Sequence, residues 1–184
     1  MPLSRPTALV VVESMFGNTR QVGTAVGNGL ELAGFEVEVV WVGAAPAVLP
    51  RRLALLVVGA PTHAFSLSRP ATRTDAVRQG AAPEHASAGL REWLGTCDIG
   101  DHPPPVAVYD TRVSKVRRLP MAAGPAARRL ARARGLAVID RPAYFLVDDV
   151  QGPLAAGELA RATGWGRRVG DRCLQARTEA TMRV

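Results

Sequence analysis

One short polar turn combines residue types that suit the binding of an anion. It consists of Ser14, Met15, Phe16, Gly17, Asn18 and Thr19. The two hydroxyl groups and the amide can donate hydrogen bonds, and Gly17 allows close backbone approach because it has no Cβ. An apolar run precedes the turn and a helical pattern follows it. Backbone N–H groups and the positive end of the helix dipole are therefore expected to converge on one point, as they do in phosphate sites.

Two familiar phosphate loops are excluded by the residues of this turn. No Gly-Lys-Ser/Thr follows, which excludes the P-loop of nucleoside triphosphatases. No Gly-x-Gly-x-x-Gly is present, which excludes the Rossmann fingerprint. A plainer interpretation of the turn alone stays open, in which Ser14 and Asn18 only cap a helix.

The elements around this turn alternate between strands and helices. Apolar or alternating runs predict strands over 7–13, 35–42, 53–59, 105–109 and 136–147. In the last of these, an interruption at Arg141-Pro142 stays open. Helical spacing predicts helices over 18–33, 70–79, 86–95, 121–134 and 154–176. Glu36 and Glu38 alternate with apolar residues, which is typical of an edge strand. Because parallel neighbours need a crossover, this alternation predicts an α/β fold with a parallel sheet.

Composition fits one domain covering residues 1–184. The chain is 47% hydrophobic and 5% aromatic, so the core is expected to consist mainly of Val, Leu and Ala. No apolar run approaches the roughly 20 residues that span a bilayer, and the N-terminus lacks a signal-peptide pattern. Cys97 and Cys173 form no Cys-x-x-Cys unit, and two unpaired thiols suit a reducing cytoplasm.

Charge and motif content exclude several function classes. The net charge is +7, and Lys115 is the only lysine among 23 basic side chains. A basic balance favours anionic partners, but no nucleic-acid motif or aromatic interleaving is present, so nucleic acid is not an expected partner. His85 and His102 share no ligand spacing with Cys97, and no Ser-His-Asp or Cys-His set stands out. We expect neither a metal site nor a set of catalytic side chains.

A second loop follows the third predicted strand and makes the pattern specific. It reads Gly59-Ala60-Pro61-Thr62-His63-Ala64-Phe65. The first turn is similar to the FMN-phosphate loop of flavodoxins, Ser/Thr-x-x-Gly-x-Thr. Gly-x-Pro-Thr followed by an aromatic residue or His resembles their second flavin loop. The two motifs agree with the flavodoxin-like family in order and spacing, most strongly over residues 7–65.

This resemblance implies a fold and a cofactor. The fold is a three-layer, doubly wound sheet of five parallel strands in the order 2-1-3-4-5. FMN lies where the first and third strands diverge; both the order and the placement are those of flavodoxin itself. Residues 14–19 would hold the phosphate. The isoalloxazine ring would lie against the second loop, through Pro61, Thr62, His63, Ala64 and Phe65. His63 stands where many flavodoxins have Trp, and Phe65 is either a ring contact or a core residue.

A third loop is expected over 110–119, near the pyrimidine side of the flavin. Asp110, Thr111 and Arg112 open this loop and are its ligand candidates, whereas the basic residues from Lys115 to Arg118 are expected at the surface. Flavodoxins are acidic in this region and this chain is basic. Arg112 could stabilise negative charge on reduced flavin N1/O2, or bind an anionic substrate or an NADPH phosphate.

Two functions from different classes remain. The favoured one is an FMN-binding redox protein that carries electrons between partner proteins, or reduces a small acceptor such as a quinone with NAD(P)H. The alternative is a flavin-free interaction or regulatory module that binds an acidic partner. The absent Trp/Tyr stacking pair supports the alternative, and the well-formed phosphate loop opposes it. Carrier flavodoxins are usually acidic, so the basic charge disfavours their docking mode.

Overall fold

The computed structural model describes residues 5–117 and 121–182. Its strands are β1 (Thr7–Val12), β2 (Glu36–Trp41), β3 (Leu53–Pro61), β4 (Val106–Val113) and β5 (Ala143–Val147). Its α-helices are α1 (Asn18–Leu32), α2 (Pro70–Arg78), α3 (Leu90–Thr96), α4 (Ala123–Ala133) and α5 (Glu158–Met182). Short 3₁₀ turns lie at Val42–Ala44, Pro83–Ala86 and Ser114–Val116.

All five strands belong to one parallel sheet in the order β2-β1-β3-β4-β5. The predicted α/β class and strand order are confirmed. β2 is an edge strand with both glutamates at its surface-facing positions, and β3 is buried along almost its whole length. From β1 the chain moves to one side to form β2 and then to the other side to form β3. The carboxyl ends of β1 and β3 therefore flank a crevice, where α/β sheets bind ligands.

The core lies in two layers, one on each face of the sheet. On one face, α1 and α5 cover a cluster that includes Tyr109, Phe145 and Trp165, whose rings meet edge-on at centroid distances of 5.9 to 6.3 Å. The other face carries a cluster built mainly from Leu, Val and Ala of β3, β4, α3 and α4. Close packing of α1 on α5 requires Gly29, because a Cβ there would lie 2.1 Å from the carbonyl oxygen of Thr163.

Several boundaries differ from the sequence-based prediction. α3 begins at Leu90 and α5 at Glu158, each four residues later than predicted. β4 continues to Val113 instead of ending at Tyr109, because residues 109–113 pair with β5. β5 begins only at Ala143, since the preceding proline has no N–H for the ladder; residues 136–142 contribute one isolated bridge, between Val106 and Val138. α5 runs on to Met182, where the apolar spacing that marked the helix has disappeared and its side chains are exposed.

Over the residues that the structure describes, no helix combines the length and the apolar character needed to cross a bilayer.

Candidate functional site

A cleft of about 250 Å³ opens at the carboxyl ends of β1, β3 and β4. It brings together most of the site residues predicted from the sequence: Ser14, Met15, Phe16, Asn18, Thr19, Pro61, Thr62, His63, Ala64, Thr111 and Arg112. Gly17, Phe65 and Asp110 do not line it. The remaining wall comes from residues that the sequence did not single out: Thr72, Ala76, Gln79, Val113, Val147 and Val150.

The first loop, residues 14–19, presents free donors at the start of α1, and we call it the anion loop. Gly17 caps the helix in the left-handed conformation, with φ 87°, which glycine adopts without strain. Ser14 Oγ accepts a hydrogen bond of 3.3 Å from the N–H of Arg20. The backbone N–H groups of residues 16–19 have no acceptor within 5–117 and 121–182. Since the first turn of α1 contains no acidic residue, this end of the cleft suits an anion.

Side-chain bonds anchor this loop to the sheet and to the last connection. Thr19 Oγ1 and Thr111 Oγ1 lie 2.7 Å apart, and Tyr109 donates its hydroxyl hydrogen to the carbonyl of Thr19 at 3.1 Å. Asn18 Nδ2 donates to the carbonyl of Gln151 at 3.0 Å. In the threonine pair only one hydroxyl donates to the other, so one hydroxyl proton remains for a further acceptor. Thr19 and Asn18 therefore shape the loop as well as lining the cleft.

A buried polar cluster that the sequence did not reveal lies behind the loop. Glu13 is fully buried directly before Ser14, and its Oε2 accepts a 2.8 Å bond from the N–H of Leu90. Burial raises the pKa of Glu13, and the Ser68 hydroxyl, the Leu90 N–H and the charge of Arg73 oppose that rise only in part. The raised pKa makes Glu13 a weaker acid than an exposed glutamate, which disfavours negative charge behind residues 14–19. The one sequence signal was a carboxyl ending an apolar strand.

Arg73 is the buried cation of the same cluster. Only 3% of its surface is exposed, and it donates to Ser68 Oγ at 3.0 Å, to the Ala86 carbonyl at 3.1 Å and to Glu92 Oε2 at 3.2 Å. These bonds fix the segment between β3 and α3 against the loop. Arg73 also lowers the pKa of His63, after the larger effect of burial, so the imidazole in the cleft favours its neutral form.

The second loop is a tight reverse turn with a strained backbone. His63 and Ser66 exchange two backbone bonds of 2.9 Å, and the two residues between them are left-handed, Ala64 with φ 44° and Phe65 with φ 63°. Positive φ is uncommon for residues with a Cβ, and such strain clusters at ligand sites. Phe65 is 46% exposed at the tip of this turn, which excludes the core position considered for it.

Asp110, Thr111 and Arg112 lie inside β4, so the expectation that they open a loop was wrong. Asp110 is fully buried and accepts bonds from Arg112 Nε at 2.7 Å, from the second Arg112 nitrogen at 2.5 Å and from the N–H of Gly124 at 3.0 Å. Burial raises the pKa of Asp110, against the opposing effect of Arg112. Asp110 thus holds Arg112 and the start of α4, beneath the surface of the cleft. Arg118 lies outside the described residues.

Comparison with known proteins places this architecture. No protein-family model and no curated protein matches the chain. Among solved structures, flavodoxin 2 from Bacillus cereus aligns with a TM-score of 0.60 at 14% identity, covering 92% of this chain and 99% of that one. A flavodoxin from the domain Archaea aligns with a TM-score of 0.59 at 16% identity, covering 91% and 98%. The chain has the flavodoxin-like fold.

Some of the structural neighbours contain this fold as one part of a larger protein. The flavodiiron protein from Giardia intestinalis aligns with a TM-score of 0.57 at 15% identity, covering 93% of this chain but only 37% of its own. The chain therefore corresponds in extent to an entire flavodoxin and to about a third of a flavodiiron protein. In this fold the cleft lies at the point where the chain changes direction between β2 and β3.

Proposed function

We propose that this chain binds FMN in the cleft and serves as a redox protein. The observation that carries the proposal is the group of free backbone N–H donors at residues 16–19, grouped around the left-handed Gly17 at the positive end of α1. A doubly charged phosphate monoester matches such a site, because both the donors and the dipole favour negative charge. The raised pKa of Glu13 disfavours a repulsive charge behind it.

The rest of the cleft fits a flavin ring in chemical character. Pro61, Ala64, Val113, Val147 and Val150 supply apolar surface, and Thr62 and His63 supply polar atoms at the same wall. These side chains would exclude water from one end of the ring and orient its polar edge. FMN, when bound, supplies the electron transfer, so no nucleophile or general base is required of the protein.

Arg112 would act on the ring only weakly through its charge. Its guanidinium is paired with Asp110 and lies 4.5 Å from the centre of the Tyr144 ring. A cation that is already neutralised by a buried carboxylate contributes little net potential to its surroundings. We infer that Arg112 positions the wall of the cleft, and that the flavin potential depends more on burial.

This site is compatible with two kinds of redox protein. One is an electron carrier, and the other is an NAD(P)H-dependent reductase of quinones or similar acceptors. The partner is a redox protein in the first case and a dinucleotide with a small acceptor in the second. We place the protein in the cytoplasm, because both cysteines are free and buried. The flavin-free alternative keeps one observation in its favour: among the described Phe, Tyr and Trp residues, Phe16 alone lines the cleft, and Phe65 lies outside the lining.

Flavin titrations of paired charge variants test the proposal. Asn18→Asp adds a negative charge at the anion loop, and Asn28→Asp adds the same charge at an exposed position farther along α1. Asn18→Asp loses the bond to the Gln151 carbonyl, but a carboxylate at the helix start interacts favourably with the helix dipole, so the fold is expected to persist. We expect FMN affinity to fall by about tenfold or more in Asn18→Asp, equivalent to about 1.4 kcal/mol. It should stay unchanged in Asn28→Asp.

Riboflavin, which has no phosphate, separates the phosphate contact from the ring contact. Its affinity should be the same in both variants and in the parent protein, as read from the visible flavin band. Absence of saturable FMN binding by the parent protein would refute the proposal and favour the flavin-free module. An FMN affinity that is unchanged in Asn18→Asp would show that the phosphate lies elsewhere.

A further inference from the structure

A second cavity, of about 400 Å³, lies between α4 and the edge strand β5. Arg112 from β4, Arg128, Arg129 and Arg132 from α4, and Tyr144 from β5 line it, and we call it the arginine basin. Among the described residues, Arg112 alone also lines the cleft. The basin is therefore a neighbouring site with its own set of side chains.

Arg132 lies three positions after Arg129 and four after Arg128, so its side chain neighbours both of them on the surface of α4. The opposite side carries Ala123, Ala127 and Ala131, which are buried against the sheet. Small residues there let α4 sit close to the sheet, and the arginines are left to face away from the core. Like charges four residues apart repel each other. This arrangement therefore destabilises the folded protein when no anion is bound nearby.

No carboxylate offsets this charge. No acidic residue lines the basin, and no salt bridge to Arg128, Arg129 or Arg132 is present within 5–117 and 121–182. The residues outside these ranges contribute no acidic side chain. Arg112 differs, because Asp110 neutralises it. The net charge of the basin is thus carried by the α4 arginines.

Arg128 is the least exposed of the three α4 arginines. Its Nε is inaccessible to solvent and has no hydrogen-bond acceptor in the described part of the chain, so an anion in the basin does not reach this atom. Because the side chain lines the basin, its two terminal guanidinium nitrogens are the donors that a bound anion meets.

The chemistry of the guanidinium groups selects the ligand class. A planar guanidinium fork binds phosphate oxygens in pairs, which a lysine ammonium does not. Several forks around one cavity suit more than one phosphate. We propose that the arginine basin binds a small molecule with adjacent phosphate groups, of the nucleoside diphosphate class.

Calorimetric titration of the full chain with inorganic pyrophosphate and with ADP tests the proposal. Arg128→Gln/Arg132→Gln should weaken binding by about tenfold for each guanidinium removed. Arg167→Gln/Arg168→Gln removes the same charge from exposed positions on α5 and should leave binding unchanged. If the first variant fails to fold, Arg129→Gln/Arg132→Gln replaces two exposed side chains of the basin and serves the same purpose.

The anion loop at residues 14–19 is a separate phosphate site, so Asn18→Asp is titrated in parallel. It should retain the basin's pyrophosphate binding, which makes the result independent of flavin binding. Adenosine, which has no phosphate, should not bind. Equal effects of the α4 and α5 variants would overturn the proposal. So would an aspartate-rich peptide that binds the basin more tightly than pyrophosphate, since it would indicate an acidic protein partner.

Discussion

Thr19 and Thr111 join their hydroxyl groups at 2.7 Å, although 92 positions separate them in the chain. Thr19 belongs to the anion loop and Thr111 to β4, and both side chains are buried. The bond fixes the loop to the sheet, so the sheet restricts the motion of the loop. It also means that Thr19 cannot be removed from the site without disturbing the fold.

We expect Thr111→Val to lower the free energy of unfolding by about 1–2 kcal/mol. The substitution keeps the shape of the side chain but leaves the buried Thr19 hydroxyl without its partner. Urea unfolding measures the change. Thr24→Val, at an exposed site on α1, is the matched control and should have little effect. A loss of equal size in both variants would contradict a structural role for the threonine pair.

Arg112→Met should cost about 3–5 kcal/mol, because it leaves the carboxylate of Asp110 buried and unpaired. The double variant Asp110→Asn/Arg112→Met removes both charges and should recover much of that loss. Arg78→Met breaks the exposed pair with Asp75 and should cost at most about 1 kcal/mol. If the double variant were no more stable than Arg112→Met, the packing of Arg112 on Tyr144 would be the dominant contribution.

Glu13→Gln should stabilise the protein increasingly as the pH rises. The pKa of Glu13 is higher in the folded protein than the usual 4.5. Between the two pKa values the folded state binds more protons than the unfolded state, so this group lowers stability as the pH rises from about 4.5 through its folded pKa. Unfolding curves at about pH 5 and about pH 8 measure the difference from the parent protein. A difference that shrinks towards high pH would refute this sign.

Ala64→Gly should raise the free energy of unfolding by about 0.5–1 kcal/mol. Glycine adopts the left-handed conformation at φ 44° without the Cβ clash that alanine has, a relief that exceeds its extra freedom in the unfolded chain. Ala71→Gly, inside α2 where φ is not positive, should destabilise by a similar amount. Destabilisation in both variants would show that the turn between His63 and Ser66 carries no strain at Ala64.

The sequence was sufficient for the fold and for most of the cleft, because the evidence for them is local. The hydrophobic periods of strands and helices repeat over a few residues. The turn between β1 and α1, with its hydroxyl groups and glycine, is recognisable from six residues. Parallel pairing then brings the ends of β1 and β3 together, so two loops far apart in sequence predict one site. The structural neighbours confirm the flavodoxin-like fold that these patterns predict.

The rest depended on contacts that no local pattern encodes. Asp110 and Arg112 look like loop residues until Gly124 and β5 surround them and make a buried pair acceptable. Ala64 and Phe65 lack the Gly or Asn that normally signals a left-handed turn. Glu13 gains its partners from Ser68, Arg73 and Leu90, which approach only when the segment before α3 folds over the loop.

Gln151 closes one side of the anion loop from the far end of the chain. Its carbonyl accepts the bond from Asn18, 133 positions earlier, and its side chain donates to the carbonyl of Gln79 at 2.7 Å. While the protein is being synthesised, residues 14–19 and 61–65 leave the ribosome long before Gln151 does. A nascent chain therefore carries a cleft with one wall missing until the connection between β5 and α5 has emerged, and ligand binding in the cleft is expected only after that point.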